Sequence, residues 1–241
     1  MSNSEYVSQK LAAVLSRIES ACKESGRASD AVKLIGASKK QAIALIEQFV
    51  EHGLADLGEN YLQEAIDKQR QSPNLGAEWH FIGQIQSNKT KAIAEHFNWV
   101  HGIDRFKIAK RLSEHVREFN ADIEGGTKRK TPINVLIQLN PDHEDSKGGV
   151  ALQDAATLCA QISDLENVML RGFMMIPQAR DNKSEQRQVF ARAAELMEQV
   201  NQSQGINLDQ LSMGMSGDLE AAISEGSTMV RIGTDLFGAR S

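Results

Sequence analysis

Short apolar runs alternate with helical segments along most of this chain, and this alternation is the feature that most limits its fold. Eight runs predict strands, the second being the weakest, at 33–38, 55–58, 79–83, 98–102, 133–139, 168–174, 210–214 and 228–232. The segments between them predict helices, at 40–52, 60–71, 87–97, 104–119, 151–163, 183–203 and 217–225. Parallel neighbouring strands need such helical crossovers, so the pattern predicts an α/β protein with a parallel sheet.

Eight strand–helix repeats favour a closed (β/α)8 barrel of the TIM type, with an open doubly wound sheet as the alternative. One extra amphipathic helix precedes the first strand, and its apolar positions are Val7, Leu11, Val14, Ile18 and Cys22. No Pro-, Gly- or Ser-rich linker divides the chain, and the polar stretch 120–132 predicts a surface loop. We therefore expect one domain over residues 1–241.

Charge and composition exclude several classes of protein. The chain has 27 Lys+Arg and 32 Asp+Glu with the two signs interspersed, whereas nucleic-acid binding needs a basic stripe. No apolar run approaches the roughly 20 residues that cross a bilayer, and charges interrupt the first 20 residues where a signal peptide would be apolar. Cys22 and Cys159 are isolated and predict buried thiols. We expect a cytoplasmic protein, and a monomer.

Two lysines end the first predicted strand in the sequence "LIGASKKQ", residues 34–41. A lysine at such a position is most often a solvated surface residue. However, the active sites of barrels lie at the C-terminal ends of the strands. Side chains alternate along a strand, so Lys39 shares a face with Ile35 and Ala37, and Lys40 points the other way. Lys39 points into the barrel mouth if its face is the inner one, which periodicity alone does not decide.

The segment "LSMGMSGDLEAAISEGSTMVRIGTDLFGAR", residues 211–240, contains the other candidate site. Ser216 is predicted to cap the helix after the seventh strand, where backbone amides favour an anion. Gly233 and Thr234 end the eighth strand, and phosphate sites of barrels use the loops after these two strands. Arg231 lies on the same strand face as Gly233, and a buried arginine needs a polar partner or ligand.

Seven motifs along the chain together resemble those of the YggS-like pyridoxal phosphate homeostasis proteins. They are "GASK", "GENYLQE", "EWHFIGQIQSNK", "IDRFKIAKRL", "SKGG", "LSMGMSGD" and "VRIGTDLFGAR". The resemblance runs in the family's order from about residue 33 to the C-terminus. It implies a barrel like the N-terminal domain of alanine racemase that binds pyridoxal 5′-phosphate (PLP).

The resemblance also implies roles for individual residues. Lys39 matches the lysine that forms the Schiff base with PLP, and Arg231 matches the residue facing the pyridine nitrogen. Ser216, Gly233 and Thr234 match the phosphate-binding positions. Wall positions of the PLP site are matched by Asn60 and Met213. Lys40 and Gln84 depart from the family's usual residues, but neither is expected to contact the phosphate or the imine.

Other polar residues have simpler interpretations. The six histidines lack metal-ligand spacing, so we expect no metal site. His80 is expected to be structural, with lining of the cofactor mouth as the alternative. Lys147 lies in an acidic loop after the fifth strand and is expected at the surface.

Three functions remain open. The first is a PLP carrier or regulator without strong catalysis of its own, with apo-PLP enzymes as possible recipients. The second is a PLP-dependent amino-acid racemase or related enzyme, and the third is a barrel enzyme acting on a phosphorylated metabolite. Racemases of this type need a second base, commonly a tyrosine from a second domain. The chain has Tyr6 and Tyr61 but no residues left over for such a domain, so we favour the carrier.

Overall fold

Eight parallel strands close into a barrel in chain order, with the eighth strand paired to the first. The computed structural model describes residues 3–122, 132–142, 144 and 148–238, without the side chains of 121 and 122. The strands are β1 (Lys33–Ala37), β2 (Asp56–Glu59), β3 (Glu78–Phe81), β4 (Trp99–Ile103), β5 (Ile133–Leu139), β6 (Val168–Met175), β7 (Gln210–Ser212) and β8 (Met229–Ile232).

Helices surround the barrel, and in the described ranges all but the first and the last connect consecutive strands. They are α1 (Asn3–Glu24), α2 (Ile43–Glu51), α3 (Leu62–Gln71), α4 (Thr90–His96), α5 (Phe106–Asp122), α6 (Leu152–Ser163), α7 (Lys183–Gln204), α8 (Leu219–Ser224) and α9 (Thr234–Phe237). None of these helices is long and apolar enough to span a bilayer. Together, strands and helices confirm the predicted TIM-type barrel with an additional N-terminal helix.

The predicted elements differ from the structure mainly at their ends. The expected helix at 87–97 is a 3-10 turn, Ser87–Lys89, followed by α4. The prediction that Ser216 caps α8 was wrong, because the helix begins at Leu219 and Asp218 occupies the N-cap. The short helix α9 was not predicted. Most of the expected loop at 120–132 lies outside the described residues, as do His143 and Lys147.

The core has two layers, separated by the sheet. Most buried apolar side chains pack between the strands and the helices, among them the free thiols of Cys22 and Cys159. A smaller cluster fills the barrel interior and consists of Ile35, Trp99, Leu136, Met174 and Met229. Because Ile35 lies inside the barrel, the face of β1 that it shares with Ala37 is the inner one, and Lys39 follows two residues beyond the end of this strand.

Candidate functional site

A cavity of about 190 Å³ opens at the C-terminal ends of β1, β7 and β8. Five of the residues predicted from the sequence line it, namely Lys39, Ser216, Arg231, Gly233 and Thr234. They come from the strands at opposite ends of the chain, which barrel closure brings side by side. The cavity therefore lies where barrels place their active sites.

Asn60 and Met213 are not among the described residues that line this cavity. Met213 is 1% exposed and packs between strands and helices, because the preceding Ser212 faces the barrel interior. Asn60 lines a neighbouring cavity together with Tyr61 and Gln84, and its Oδ1 atom is buried without a described partner. Met213 and Asn60 therefore lie outside the lining of the cavity at β1, β7 and β8, and their role as walls of a PLP site stays a prediction.

The chain turns sharply at the end of β1, where the two lysines lie. Lys39 is half-buried at the cavity, whereas Lys40 is exposed and has a left-handed φ of 61°. A lysine with this φ is uncommon, and such conformations persist where surrounding contacts hold them. The backbone N–H of Lys40 donates to Glu64 Oε1 at 2.5 Å. This contact holds the turn that presents Lys39.

Three charged residues, the buried Glu59 and Lys68 and the partly buried Glu64, fix both neighbours of Lys39; we call them the Lys68 cluster. Lys68 Nζ donates to Glu59 Oε1 at 2.6 Å, to Glu64 Oε1 at 2.7 Å and to the Ser38 carbonyl at 2.7 Å. The Ser38 hydroxyl donates to Glu59 Oε1 at 2.7 Å. Burial, only partly offset by the hydrogen bond from Lys68, raises the pKa of Glu59.

The loop from β7 to α8 forms the opposite wall of the cavity. Gly214 has a φ of 97°, and a Cβ atom there would lie 2.7 Å from the Ala222 side chain, so only glycine fits without strain. The backbone N–H of Met215 donates to Asp218 Oδ1 at 2.6 Å, which shapes the turn around Ser216. This loop and the start of α9 present backbone amides and two hydroxyl groups, which are typical donors to an anion.

Arg17 of α1 connects the loop between β7 and α8 with helices α8 and α9. Its guanidinium donates to Glu220 of α8 at 2.7 Å, to Asp235 of α9 at 2.5 Å and to the Ser216 carbonyl at 3.0 Å. Sequence reasoning missed Arg17, because its partners are 199 to 218 positions away along the chain. The N-terminal helix is thus part of the support for the cavity.

Arg231 lies on β8 with 4% exposure, at the base of the cavity. Its Nη1 atom donates to the Ser212 carbonyl at 2.6 Å and to Ser212 Oγ at 2.7 Å, and its Nη2 atom donates to the Met175 carbonyl at 2.9 Å. Its described hydrogen-bond partners are therefore neutral oxygen atoms, and the charge of Asp218 acts on it without a described hydrogen bond. Burial lowers the pKa of Arg231 to about 10, which leaves the guanidinium charged at neutral pH.

Near the opposite end of the barrel, Asp56, Glu78 and His80 bring three possible metal-ligand atoms within 4.8 Å of one another. Lys33 Nζ lies 2.8 Å from Asp56 and 3.2 Å from Glu78. The ammonium group of Lys33 thus offsets part of the negative charge of the two carboxylates.

Comparison with known proteins adds close relatives. The model of the alanine racemase N-terminal domain matches residues 9–241. A protein of Pseudomonas aeruginosa named pyridoxal phosphate homeostasis protein is 46% identical over 234 residues, 97% of this chain and 96% of that protein. The Escherichia coli K12 protein of the same name is 40% identical over 237 residues, 97% of each chain.

Solved structures show the same barrel. PipY of Synechococcus elongatus, solved with PLP bound, is 31% identical with a TM-score of 0.82, and the alignment covers 96% of this chain and 100% of PipY. An alanine racemase of Clostridium difficile is 14% identical with a TM-score of 0.70, over 94% of this chain and 59% of the racemase. That second likeness is one of fold alone.

Proposed function

Because the chain belongs to the family of pyridoxal phosphate homeostasis proteins, we propose that it binds PLP in the cavity between β1 and β8 and acts in intracellular PLP homeostasis. The resemblance found in the sequence motifs is confirmed by these relatives. PipY, a structural neighbour at 31% identity, has been solved with PLP bound. We further propose that the protein is a carrier or regulator of PLP in the cytoplasm, a monomer, and not an enzyme.

The observation that supports PLP most strongly is the set of groups lining one cavity. An amine, a guanidinium and two hydroxyl groups meet there, on Lys39, Arg231, Ser216 and Thr234, and no carboxylate is among the described lining residues. The positively charged groups and the hydroxyl donors can bind a phosphate dianion, and the amine can react with an aldehyde. The residues present therefore fit PLP.

Each residue has a defined task in this proposal. PLP supplies an electrophilic aldehyde and an electron-withdrawing ring. Lys39 Nζ attaches to the aldehyde carbon by a C=N bond, and the aldehyde oxygen leaves as water. Ser216, Gly233 and Thr234 bind the phosphate through hydroxyl and backbone N–H donors. The Lys68 cluster holds the turn from which Lys39 reaches the ligand.

Arg231 is central to the proposal that the protein does not catalyse amino-acid chemistry. A guanidinium has donors and no acceptor, so a pyridine nitrogen facing it stays unprotonated. An unprotonated ring withdraws electrons less strongly, which disfavours carbanions. Among the described residues lining the cavity, Lys39 is also the one side chain suited to act as a base. Two-base racemisation would need a second.

The test of attachment compares two adjacent lysines. Purified protein given PLP and then borohydride should gain the mass of one PLP adduct in the wild type and in Lys40→Ala, but not in Lys39→Ala. An adduct that persists in Lys39→Ala and disappears in Lys40→Ala would contradict the assignment.

The test of the carrier role uses the PLP-loaded protein in D2O. L-amino acids should keep their α-hydrogens by NMR, while an apo-PLP enzyme mixed with the loaded protein should gain activity. Exchange of the α-hydrogen that depends on Lys39 would show an enzyme instead. Failure to activate any apo-enzyme would count against delivery of PLP.

A further inference from the structure

The barrel interior contains a continuous chain of polar side chains beneath the cavity. We call it the interior hydrogen-bond chain; its six residues come from β1, β2, β3, β4, β7 and β8 and are Lys33, Asp56, His80, His101, Ser212 and Arg231. Three of them, His80, His101 and Ser212, are fully buried. Buried polar side chains need hydrogen-bond partners, so each of these side chains is restricted to an orientation that satisfies its neighbours.

Consecutive members lie at hydrogen-bond distance. Lys33 Nζ is 2.8 Å from Asp56 Oδ1, and His80 Nε2 is 2.9 Å from the same oxygen. His80 Nδ1 is 3.0 Å from His101 Nε2, and His101 Nδ1 is 2.9 Å from Ser212 Oγ. Arg231 Nη1 completes the chain at 2.7 Å from Ser212 Oγ.

With both imidazoles neutral, Asp56, which only accepts, and Arg231, which only donates, determine the direction of the four bonds between them. Arg231 can only donate, so Ser212 Oγ accepts from it and directs its own proton to His101 Nδ1. The proton of His101 is then on Nε2 and is donated to His80 Nδ1. His80 in turn donates from Nε2 to the carboxylate of Asp56, which only accepts. The four bonds between them therefore point from Arg231 to Asp56, with both imidazoles neutral, and Lys33 donates to the same carboxylate from the other side.

The surroundings of the two rings agree with this direction. Burial lowers the pKa of His80 and, more strongly, that of His101, where the nearby charge of Arg231 acts in the same sense. Burial alone would raise the pKa of Asp56, but hydrogen bonds from His80 and Lys33 outweigh it and lower the pKa, so the carboxylate is ionised. The His80 ring also stacks on Trp99 at 5.6 Å, which restricts its rotation.

We propose that the interior hydrogen-bond chain is a positioning device that makes Asp56, at the far end of the barrel, a determinant of how Arg231 faces the pyridine ring of PLP. The proposal rests on the proposed function and deepens it. The partners that touch Arg231 are neutral, and a chain of aligned bonds strengthens each member. Asp56 thereby makes Ser212 Oγ a stronger acceptor for the guanidinium. His80, His101 and Ser212 transmit this effect without contacting the ligand.

The protein alone provides the first test. Long-range proton–nitrogen NMR of 15N-labelled protein at neutral pH should show both buried imidazoles neutral and protonated on Nε2. Ser212→Ala should shift the ring signals of His101. Ser227→Ala is the matched control, because Ser227 is an equally buried serine whose hydroxyl donates to backbone carbonyls instead. A proton on Nδ1 of either ring in the wild type would overturn the proposed direction.

Ligand binding provides the second test, on variants shown to be folded by circular dichroism. Asp56→Asn and Ser212→Ala should each weaken PLP at least about fivefold, a usual size for coupling between separate sites. Pyridoxal, which lacks the phosphate, should weaken by the same factor, and the absorption band of bound PLP should move. Ser227→Ala should change none of these.

The outcomes separate the two proposals. Unchanged PLP affinity and absorption in folded Asp56→Asn would overturn the positioning role while leaving PLP binding intact. Weaker binding of PLP with unchanged pyridoxal would also overturn it, because the effect would then lie at the phosphate. A wild-type protein that binds neither compound would overturn the proposed function itself, and the positioning role with it.

Discussion

Replacing Lys68 by methionine should be one of the most destabilising single changes near the cavity. The side chain of Lys68 is 6% exposed, and its ammonium group donates to Glu59, Glu64 and the Ser38 carbonyl. Methionine fills a similar volume but provides none of these donors. Glu59, which is fully buried, would then keep the Ser38 hydroxyl as its described partner and lose its cation.

The magnitude follows from leaving one buried charge without its partner. Breaking such a pair costs about 3–5 kcal/mol of unfolding free energy. In a chain of this size each kcal/mol lowers Tm by about 2–4 °C, so we expect a decrease of about 6–20 °C. The turn after β1 should loosen at the same time, because the contacts on both sides of Lys39 depend on this cluster.

The loss of unfolding free energy in Lys68→Met should depend on pH, in a direction determined by the pKa of Glu59. The pKa of Glu59 is raised in the folded protein, chiefly by burial. Protonated Glu59 therefore favours the folded state at low pH, and this contribution to the free energy of unfolding is lost as the pH rises through the folded-state pKa. Removing Lys68 moves this pKa higher still. The deficit of Lys68→Met should therefore be largest at neutral pH and smaller at about pH 5.

Urea unfolding followed by circular dichroism at the two pH values measures this deficit. Arg70→Met is the matched control, since Arg70 lies on the same helix in an exposed pair with Asp67 at 3.8 Å, and it should cost less than about 1 kcal/mol. Adding Glu59→Gln to Lys68→Met should recover part of the loss at neutral pH. A deficit equal at both pH values, or no larger than that of the control, would refute the reasoning.

Three other predictions concern the support of the cavity and the thiols. Arg17→Met should weaken PLP binding about three- to tenfold, which is the scale of coupling through residues that do not touch the ligand. The control Arg187→Met, which removes an exposed ion pair, should leave the affinity unchanged. Fluorescence titration measures both affinities, and equal values for the two variants would contradict the role of Arg17. Gly214→Ala should cost about 1–3 kcal/mol in thermal unfolding, because its φ and the contact with Ala222 strain any side chain, and an unchanged Tm would count against that strain. Burial raises the pKa of Cys159 to about 12 and also raises that of Cys22, so neither thiol should react with a thiol reagent while the protein is folded. Rapid labelling of either cysteine in the native protein would contradict this prediction.

The barrel could be predicted from the sequence because most strands are short apolar runs bounded by helical periodicity, β2 being the weakest of them. The same alternation identified Lys39 as the lysine that shares a face with Ile35, although only the structure decides that this face is the inner one. Residues near strand ends were less predictable. Ser216 has the residue type of a helix cap, yet the turn anchored by Asp218 starts α8 three residues later.

The interior hydrogen-bond chain could not be predicted, because its members are distant in sequence and each residue alone has a simple structural interpretation. A signal was nevertheless present. Asp56, His80 and His101 each fall within a predicted strand, and polar residues on three consecutive strands of a barrel can contact one another if they share its inner face. Their pairing with Ser212 depends on the stagger of the strands, which the sequence does not specify.

The pairing of β1 with β8 has a consequence for when the cavity can form. Lys39 follows the first strand, and Gly233 and Thr234 follow the last, while Arg17 of α1 contacts both α8 and α9. Contacts between such distant segments form late in folding, since a long loop must close first. A growing polypeptide on the ribosome therefore has Lys39 but lacks the half of the cavity that contains Gly233 and Thr234. If PLP binds there as we propose, its capture must wait until the eighth strand has been synthesised and docked.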